Sequence, residues 1–286
     1  MPDIVLATGR DMPHGPAAED PVLVAALAAL GITAAIEPWG TAASFDARLV
    51  VVRTTWDYTE HVTEFLGWVD ETARRTTLIN PAEVIRWNLH KSYLLDLAYG
   101  SVPIMPTALI THESPPSDLA AALEEYDGEV VIKPAVSVGA YDTMRVVAGS
   151  AAAAEHLRRL VAQGDALVQP FEPSIIDGET SLVYFDGDFS HAIRKVPAAG
   201  DYRVQVFHGG SNLAHEPSAA ELEVGALALG VVDADVAYAR VDLVATDRGP
   251  VLMELELIEP QLFLDEPNES ATRYAEVLAR RLHALG

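Results

Sequence analysis

The sequence predicts an α/β lobe followed by two α+β lobes, and three observations lead to this fold class. Residues 4–7 and 49–52 are apolar without interruption and alternate with helical segments, which is typical of a parallel sheet covered on both faces. From about residue 104, short strands and helices alternate between glycine turns. From residue 169 onward, the strands lengthen and are joined by hairpin turns.

The elements of the first lobe follow from local signals. Asp20 and Pro21 predict an N-cap and a first helical residue, and the Ala- and Leu-rich helix that they begin runs to Gly31. A second strand is predicted at residues 33–36. No glycine-rich dinucleotide fingerprint follows the first strand, so a Rossmann-type nucleotide site is not expected. A helix from about 88 to 99 leads into the next lobe.

The remaining lobes are predicted from turn residues and apolar runs. Residues from about 104 to 168 predict the order strand, helix, strand, strand, helix, strand. Further along, hairpin turns are predicted at 186–187 and 247–249, and helices at about 218–230 and 270–285.

Composition excludes several classes of function. The chain has 286 residues, a formal net charge of −23 and no cysteine. The acidity argues against binding to nucleic acid or to anionic lipid, and the absence of cysteine excludes disulfides, thiolate catalysis and Cys-ligated zinc. The start of the chain shows no signal peptide, and the most apolar stretch, residues 21–36, is shorter than a membrane span. We therefore expect a cytoplasmic protein with a small-molecule partner.

The strongest local chemical signal is a predicted hairpin near the C-terminus. Residues two apart on a strand share a face, so Arg240 points the same way as Asp242, and Glu254 the same way as Glu256. Crowded carboxylates repel one another unless a cation lies among them, and Mg²⁺ prefers such oxygen ligands. A solvated hairpin face is the alternative, but like charges across a hairpin are destabilising. The pattern predicts a magnesium site.

Lysine is scarce in this chain, which draws attention to each position that has it. The three lysines are Lys91, Lys133 and Lys195, among 19 basic residues in all. Compact ammonium groups suit phosphate, although compositional bias alone explains such scarcity equally well. Lys133 precedes a loop of small residues, 137–143, whose backbone N–H groups can approach phosphate. The loop does not match the Walker A pattern.

Several motifs in a fixed order resemble the ATP-grasp superfamily, and in particular its glutathione synthetase-like and cycloserine synthetase-like ligases. The matching motifs are Lys91, Lys133-Pro134, Gln169-Pro170-Phe171, Gly178-Glu179, Arg203, Gly209-Gly210, Arg240-Val241-Asp242 and Glu254-Leu255-Glu256. The segments 52–58 and 80–88 resemble the cycloserine synthetase group. One departure is Glu256, where glutathione synthetases typically have Asn.

The resemblance implies the domain organisation. It indicates an ATP-grasp fold with an N-terminal α/β substrate lobe at residues 1–86 and an ATP-grasp domain at 87–286. Within that domain, it implies a central α+β lid lobe at about 104–168 and a C-terminal α+β lobe at about 169–286, which holds metal and nucleotide.

The resemblance also implies ATP and Mg²⁺, with two ions, as cofactors. Lys91 and Lys133 would contact the nucleotide phosphates, and Glu179 the ribose hydroxyls. The hinge, with Gln169, Phe171 and Glu172, would bind adenine through its backbone. Asp242, Glu254 and Glu256 would hold the metal ions. Lys195, Arg203 and Arg240 would stabilise the transferring phosphoryl group or the substrate carboxylate.

Two further groups of residues are predicted to face the substrate. Arg53 ends a buried strand, the edge at which α/β sheets bind ligands, and Trp56, Asp57 and Tyr58 follow it. A packing Trp with a capping Asp is the alternative interpretation. The other group is His208, Gly209 and Gly210, in a segment (206–217) that we expect to be mobile in the free protein and to close over the substrate.

The expected function is an ATP- and Mg²⁺-dependent ligase that activates a small amino-acid-like carboxylate as an acyl phosphate for attack by nitrogen. The resemblance implies ring closure of O-ureido-D-serine to D-cycloserine. An intermolecular amino-acid or peptide ligase and a non-catalytic nucleotide-binding regulatory module remain open as alternatives. A homodimer is the expected oligomeric state.

Overall fold

The computed structural model describes residues 1–10, 17–266 and 269–286 and arranges its strands in three sheets. The N-terminal sheet is parallel, with the strand order β2-β1-β3-β4. Its strands are β1 (Ile4–Thr8), β2 (Ala34–Pro38), β3 (Leu49–Thr54) and β4 (Thr77–Ile79). Helices α1 (Glu19–Ala29) and α2 (Val62–Arg75) connect them. Every residue of β1 and β3 is buried, which confirms the parallel sheet predicted from their apolar runs.

The predicted start of α1 is wrong. The helix begins at Glu19, the N-cap is Ala18, and no side chain caps it. Asp20 is instead fully buried and accepts hydrogen bonds from Thr54 at 2.8 Å and from Arg53 at 3.3 Å. A buried guanidinium requires counter-charges, and this requirement takes the Asp20 side chain away from the helix terminus.

The helix predicted at 88–99 is two helices, α3 (Ala82–Leu89) and α4 (Tyr93–Tyr99). The chain leaves the helical path between them because the Lys91 amide donates to the Ala135 carbonyl at 2.8 Å, outside any helix. The break turns the Lys91 side chain toward the central cavity.

The middle sheet is antiparallel, with the order β5-β8-β6-β7. Its elements are β5 (Ala108–Ile110), α5 (Pro116–Glu124), β6 (Glu129–Pro134), β7 (Met144–Val147), α6 (Ala151–Val161) and β8 (Ala166–Pro170). This is the predicted order of strands and helices. The two helices bury apolar side chains such as Leu123, Leu157 and Leu160 against the sheet and so give this lobe a core of its own.

The C-terminal sheet is also antiparallel, with the order β11-β10-β9-β12-β13. Its strands are β9 (Glu179–Phe185), β10 (Asp188–Val196), β11 (Ser211–Ala214), β12 (Tyr238–Thr246) and β13 (Gly249–Glu256). Both predicted hairpins are present. Helices α7 (Ala219–Val231) and α8 (Ser270–His283) lie close to the predicted positions, and a capping box between Ser218 and Glu221 begins α7.

Strand β11 corrects the prediction of a mobile loop at 206–217. Residues 211–214 pair with 193–196 of β10, so their backbone is hydrogen-bonded in the sheet. The parts of the segment on either side of β11, 206–210 and 215–217, lie outside the strand pairing, and Phe207 in the first part is 72% exposed.

One hydrophobic core joins the N-terminal and C-terminal sheets. Ile4 and Leu6 of β1 belong to the same buried cluster as Phe185 of β9 and Tyr274 of α8. The parallel sheet is therefore fixed against the sheet that carries the predicted metal residues. In the described parts of the chain, no helix is long and apolar enough to cross a membrane.

Candidate active site

A cavity of about 1230 Å³ is lined by residues from all three lobes. Pockets for single small ligands commonly measure about 300–1,000 Å³, so this one has room for a nucleotide and a second small molecule. Its lining includes Trp56 and Tyr58 of the first lobe, Lys133 and the loop 137–143 of the middle lobe, and the face of the β12–β13 hairpin that carries Asp242 and Glu254.

The three predicted metal residues lie together on that hairpin. Asp242 of β12 faces Glu254 of β13, and Arg240 faces Glu256. Carboxylate oxygens of Asp242, Glu254 and Glu256 all lie within 4.8 Å of one another. Three carboxylates are the oxygen ligands that Mg²⁺ accepts, so the residues present fit this ion.

Basic side chains surround these carboxylates. Lys91 Nζ and Lys133 Nζ lie 3.6 Å and 3.3 Å from Glu254 Oε1. On the other strand, Lys195 Nζ lies 3.1 Å from Asp242 Oδ2, and Arg240 Nη2 lies 2.9 Å from the same oxygen. Cations of the chain therefore already lie among the carboxylates and oppose the repulsion that we expect between them in the absence of metal.

Two more ion pairs and two hydrogen bonds complete this ionic network. Lys195 also pairs with Glu179, and Arg240 pairs with Glu256. Ser181 donates to Asp242 Oδ1 at 2.6 Å, and Lys91 Nζ donates to the Ser137 carbonyl at 2.6 Å. The hydrogen bond from Lys91 joins this lysine to the loop of small residues, 137–143, at the cavity.

The network moves the pKa values of its carboxyl groups in opposite directions. Burial acts to raise the pKa of Glu254, but Lys91 and Lys133 outweigh it and hold this pKa at about 2. Burial is likewise outweighed at Asp242, where Arg240 and Lys195 lower the pKa below the usual range. Burial dominates at Glu256 and raises its pKa to about 8, although Arg240 opposes the effect. A bound cation would favour the ionised form of Glu256, which burial opposes.

The predicted hinge carries fewer free groups than its sequence indicates. Gln169 is buried, and its side-chain amide donates to Thr107 Oγ1 at 2.8 Å. The Glu172 carboxylate accepts from the backbone amide of Ser174 at 3.1 Å. The Phe171 amide donates to the Glu129 carbonyl at 2.9 Å. Since Pro170 has no N–H, the amide of Glu172 is the backbone donor of this hinge that we expect to bind adenine.

Arg203 lines the same cavity but lies apart from the network. Its Nη2 atom is 2.8 Å from Asp201 Oδ2, and its side chain is 37% exposed. Hydrogen bonds from Arg203 lower the pKa of Asp201 below its usual range. Of the three predicted catalytic side chains, the structure therefore brings together Lys195 and Arg240 and leaves Arg203 to one side.

The structure contradicts the prediction that Arg53 faces the substrate. Its guanidinium is fully buried, pairs with Glu19 and Asp20, and donates to the Pro260 carbonyl at 3.2 Å. The end of β3, where ligands bind in other α/β folds, is occupied in this protein by ion pairs between its own side chains.

The other predicted substrate residues divide between the cavity and the surrounding structure. Trp56, Tyr58 and His208 line the cavity. Asp57 accepts hydrogen bonds at 2.8 Å from the Trp39 indole and from the Arg10 amide. Gly209 and Gly210 follow His208 in the unpaired part of the loop. Gly209 has a φ of +88°, and a Cβ at Gly210 would lie 2.2 Å from the Val204 carbonyl oxygen, so this turn requires both glycines.

Sequence analysis missed the side chains that hold the hairpin in place. The side-chain amide of Asn88 donates to the Leu255 carbonyl at 2.7 Å, and its oxygen accepts from the backbone amide of Leu257 at 2.8 Å. Asn88 therefore pairs with the edge of β13 as a neighbouring strand would. Asn80 donates to the carbonyls of Tyr238 and Leu257. Both asparagines are in segments that carry the resemblance, but their contacts join residues more than 150 positions apart and leave no local signal.

Comparisons with known proteins agree with this geometry. Residues 4–80 match the family model described as D-cycloserine synthetase DcsG, N-terminal domain, and residues 96–260 match the prokaryotic glutathione synthetase, ATP-grasp domain. The cycloserine biosynthesis protein DcsG of Streptomyces lavendulae is 35% identical over 92% of this chain and 93% of its own. A glutathione synthetase of Prochlorococcus marinus (strain MIT 9313) is 29% identical over 80% of this chain and 70% of its own.

Solved structures show the same similarity. The crystal structure of D-cycloserine synthetase DcsG superposes with a TM-score of 0.86 at 31% identity and covers 98% of this chain and 99% of that one. A D-alanine–D-alanine ligase from Bacillus anthracis covers 100% of both chains with a TM-score of 0.67 at 14% identity, which shows the shared fold alone.

Proposed function

The chain belongs to the ATP-grasp ligase family, and from that premise we propose that it closes O-ureido-D-serine to D-cycloserine. As a member of this family it is an ATP-dependent ligase that forms C–N bonds. The choice of substrate is supported by the match of residues 4–80 to an N-terminal domain of D-cycloserine synthetase, because the first lobe supplies its own part of the cavity wall.

One observation carries the chemical part of the proposal. Four basic side chains, Lys91, Lys133, Lys195 and Arg240, meet the carboxylates of Asp242, Glu254 and Glu256 in a cavity large enough for two ligands. Such a set matches phosphoryl transfer, in which cations neutralise the phosphate oxygens and the protein contributes alignment rather than a nucleophile of its own.

In the proposed reaction, the substrate carboxylate attacks the terminal phosphorus of ATP and forms an acyl phosphate. The nitrogen bound to the side-chain oxygen of the same molecule then attacks the carbonyl carbon, and phosphate leaves. Water removes the carbamoyl group from that nitrogen as carbon dioxide and ammonia, which gives D-cycloserine. ATP-grasp ligases use Mg²⁺, and we propose two ions here. Asp242, Glu254 and Glu256 would hold them, and the ions would neutralise phosphate oxygens. When ATP binds, Lys91 and Lys133 exchange their contact with Glu254 for the nucleotide phosphates.

The other residues receive roles by position. We assign adenine to the backbone of Gln169, Phe171 and Glu172, and the ribose to Glu179, whose carboxylate lines the cavity. Lys195, Arg240 and Arg203 would neutralise the transferring phosphoryl group or the substrate carboxylate. Arg203 would reach this group only after its side chain leaves Asp201. We expect that change to require closure of the unpaired part of the loop before β11.

The organisation of the whole chain follows the same proposal. Residues 1–86 would form the substrate lobe and 87–286 the ATP-grasp domain, with a lid at about 104–168 and the metal and nucleotide lobe at about 169–286. We propose that the enzyme works in the cytoplasm as a homodimer on small molecules. Size-exclusion chromatography with light scattering tests the dimer, and a mass near 30.7 kDa would refute it.

The deciding experiment measures ADP and products from O-ureido-D-serine, ATP and Mg²⁺ with no second amine present. We expect ADP release that depends on the substrate, and D-cycloserine detected by mass spectrometry. Asp242→Asn serves as the control, since it removes a metal ligand and should abolish both products. ADP that forms only after a second amino acid is added would identify an intermolecular ligase instead.

A further inference from the structure

Glu259 is a buried carboxylate that lines the cavity and that the ionic network does not include. It follows β13 by three residues and is 8% exposed. Its carboxylate lies beside the Tyr58 hydroxyl, and its backbone carbonyl accepts from the Trp56 indole at 3.1 Å. It therefore lies at the end of the cavity formed by the first lobe.

Glu259 differs from the carboxylates of the network in one respect. Asp242, Glu254 and Glu256 each have a Lys or Arg within 4.0 Å. Among the described residues, no Lys or Arg forms such an ion pair with Glu259. Glu259 is also not one of the three residues whose oxygens converge on the candidate metal position.

A buried carboxylate without a counter-charge destabilises the folded protein. Burial raises the pKa of Glu259 to about 7, and the more distant Lys91 and Arg240 only partly oppose it. The neutral donors beside it are the Tyr58 hydroxyl and the backbone amide of Glu259 itself. An acidic group that faces an open cavity in this condition gains most from a cationic ligand, which supplies the missing charge.

We propose that Glu259 binds the α-ammonium group of the amino-acid substrate, with Trp56 and Tyr58 forming the wall beside it. The inference rests on the proposed function, because it takes the cavity to accept an amino acid. The substrate would place its carboxylate among Lys195, Arg240 and Arg203, and its ammonium group toward the first lobe. The two opposite charges of the substrate would then meet two opposite charges of the protein, which selects an amino acid over a simple carboxylic acid.

The test compares two ligands that differ only in the ammonium group: O-ureido-D-serine and 3-(ureidooxy)propanoate. Calorimetry measures their binding to the full chain with Mg²⁺ and a non-hydrolysable ATP analogue. We expect the wild type to prefer the amino acid by about 100-fold, the scale of a desolvated charge pair. In Glu259→Gln, the preference should fall to about threefold or less.

Two control variants separate binding from folding. Glu60→Gln removes an exposed carboxylate from the mouth of the same cavity and should keep the full preference. Glu259→Asp keeps the charge and should retain a preference above that of Glu259→Gln. A purely structural role of Glu259 would lower the affinity for both ligands alike and leave their ratio unchanged, which would overturn the proposal.

The outcomes for the two proposals are distinct. A wild type that prefers the amino acid and loses this preference in Glu259→Gln, yet forms no D-cycloserine, supports the ammonium site and refutes the proposed reaction. A wild type that forms D-cycloserine while Glu259→Gln keeps the 100-fold preference refutes the ammonium site alone. Equal affinity of the wild type for both ligands, or binding of neither, also refutes the ammonium site.

Discussion

Removal of the Glu254 charge should destabilise the ligand-free protein. Glu254→Gln leaves Lys91 and Lys133 as two nearly buried ammonium groups without their common carboxylate. The fall in the Glu254 pKa from 4.5 to about 2 measures how strongly the folded protein favours the ionised form. At 1.36 kcal/mol per tenfold change, this corresponds to about 3 kcal/mol of stability.

The pH dependence follows from the direction of the shift. Because the folded protein holds the pKa below its unfolded value, the ionised carboxylate stabilises the fold above pH 4.5, and this stabilisation is lost as the pH falls toward 2. The difference in unfolding free energy between the wild type and Glu254→Gln should therefore be complete at pH 7.5 and shrink below pH 4.5. Thermal unfolding in EDTA should show a fall in Tm of roughly 5–10 °C at pH 7.5.

The assay is far-UV circular dichroism during thermal and urea unfolding, in EDTA and without nucleotide. Glu64→Gln is the matched control, since it removes an exposed partner of Arg10 and should change the unfolding free energy by less than about 0.5 kcal/mol. An unchanged or higher Tm for Glu254→Gln at pH 7.5 would refute the reasoning. It would mean that repulsion among the three carboxylates outweighs their pairing with lysines.

Three further predictions concern the lysine, the loop and the ammonium site. Lys133→Arg should lose at least about 100-fold in kcat/KM for ATP although the charge is retained, because the longer forked side chain does not fit the buried position beside Glu254. Normal ADP release by this variant would contradict the prediction. In hydrogen exchange, residues 211–214 should be protected with and without ligands, whereas 197–210 should gain protection only with ATP, Mg²⁺ and substrate; equal protection of 197–210 in both states would show a fixed loop. In the ligand-free protein, Glu259→Gln should raise Tm relative to the wild type more at pH 8 than at pH 5. Burial raises the pKa of Glu259 to about 7, so the wild type loses stability as the pH rises through that value and the variant does not. An identical difference in Tm at both pH values would contradict the assignment.

Local pattern predicted the elements of the fold and the metal hairpin. The alternation of side chains along a strand is a strict geometric rule, so it places Arg240 with Asp242 and Glu254 with Glu256. The pairing of the two strands then brings both faces together. The tight turn between β12 and β13 sets the pairing as far as Leu243 and Leu252. A bulge beyond that pair shifts the register by one residue and so brings Asp242 opposite Glu254, which the sequence pattern does not indicate. The apolar runs of β1 and β3 were similarly sufficient for a buried parallel sheet.

Contacts between distant residues were not predictable in this way. Glu254 meets Lys133 across 121 positions, and Arg53 meets Glu19 across 34, so no local window contains either pair. The need to neutralise buried charge explains two of the differences between the predictions and the structure. It took Asp20 from the helix terminus to Arg53, and it gave the carboxylates lysine partners that the alternation along the strands does not indicate.

Activation of the substrate carboxylate as an acyl phosphate is the central claim, and an isotope experiment tests it most directly. O-ureido-D-serine labelled with ¹⁸O in both carboxylate oxygens is incubated with the enzyme, ATP and Mg²⁺, and the inorganic phosphate is analysed by mass spectrometry. The account predicts one ¹⁸O atom in each phosphate released with a molecule of D-cycloserine, because the carboxylate oxygen that attacked phosphorus leaves with it. Unlabelled phosphate accompanying D-cycloserine would contradict the account.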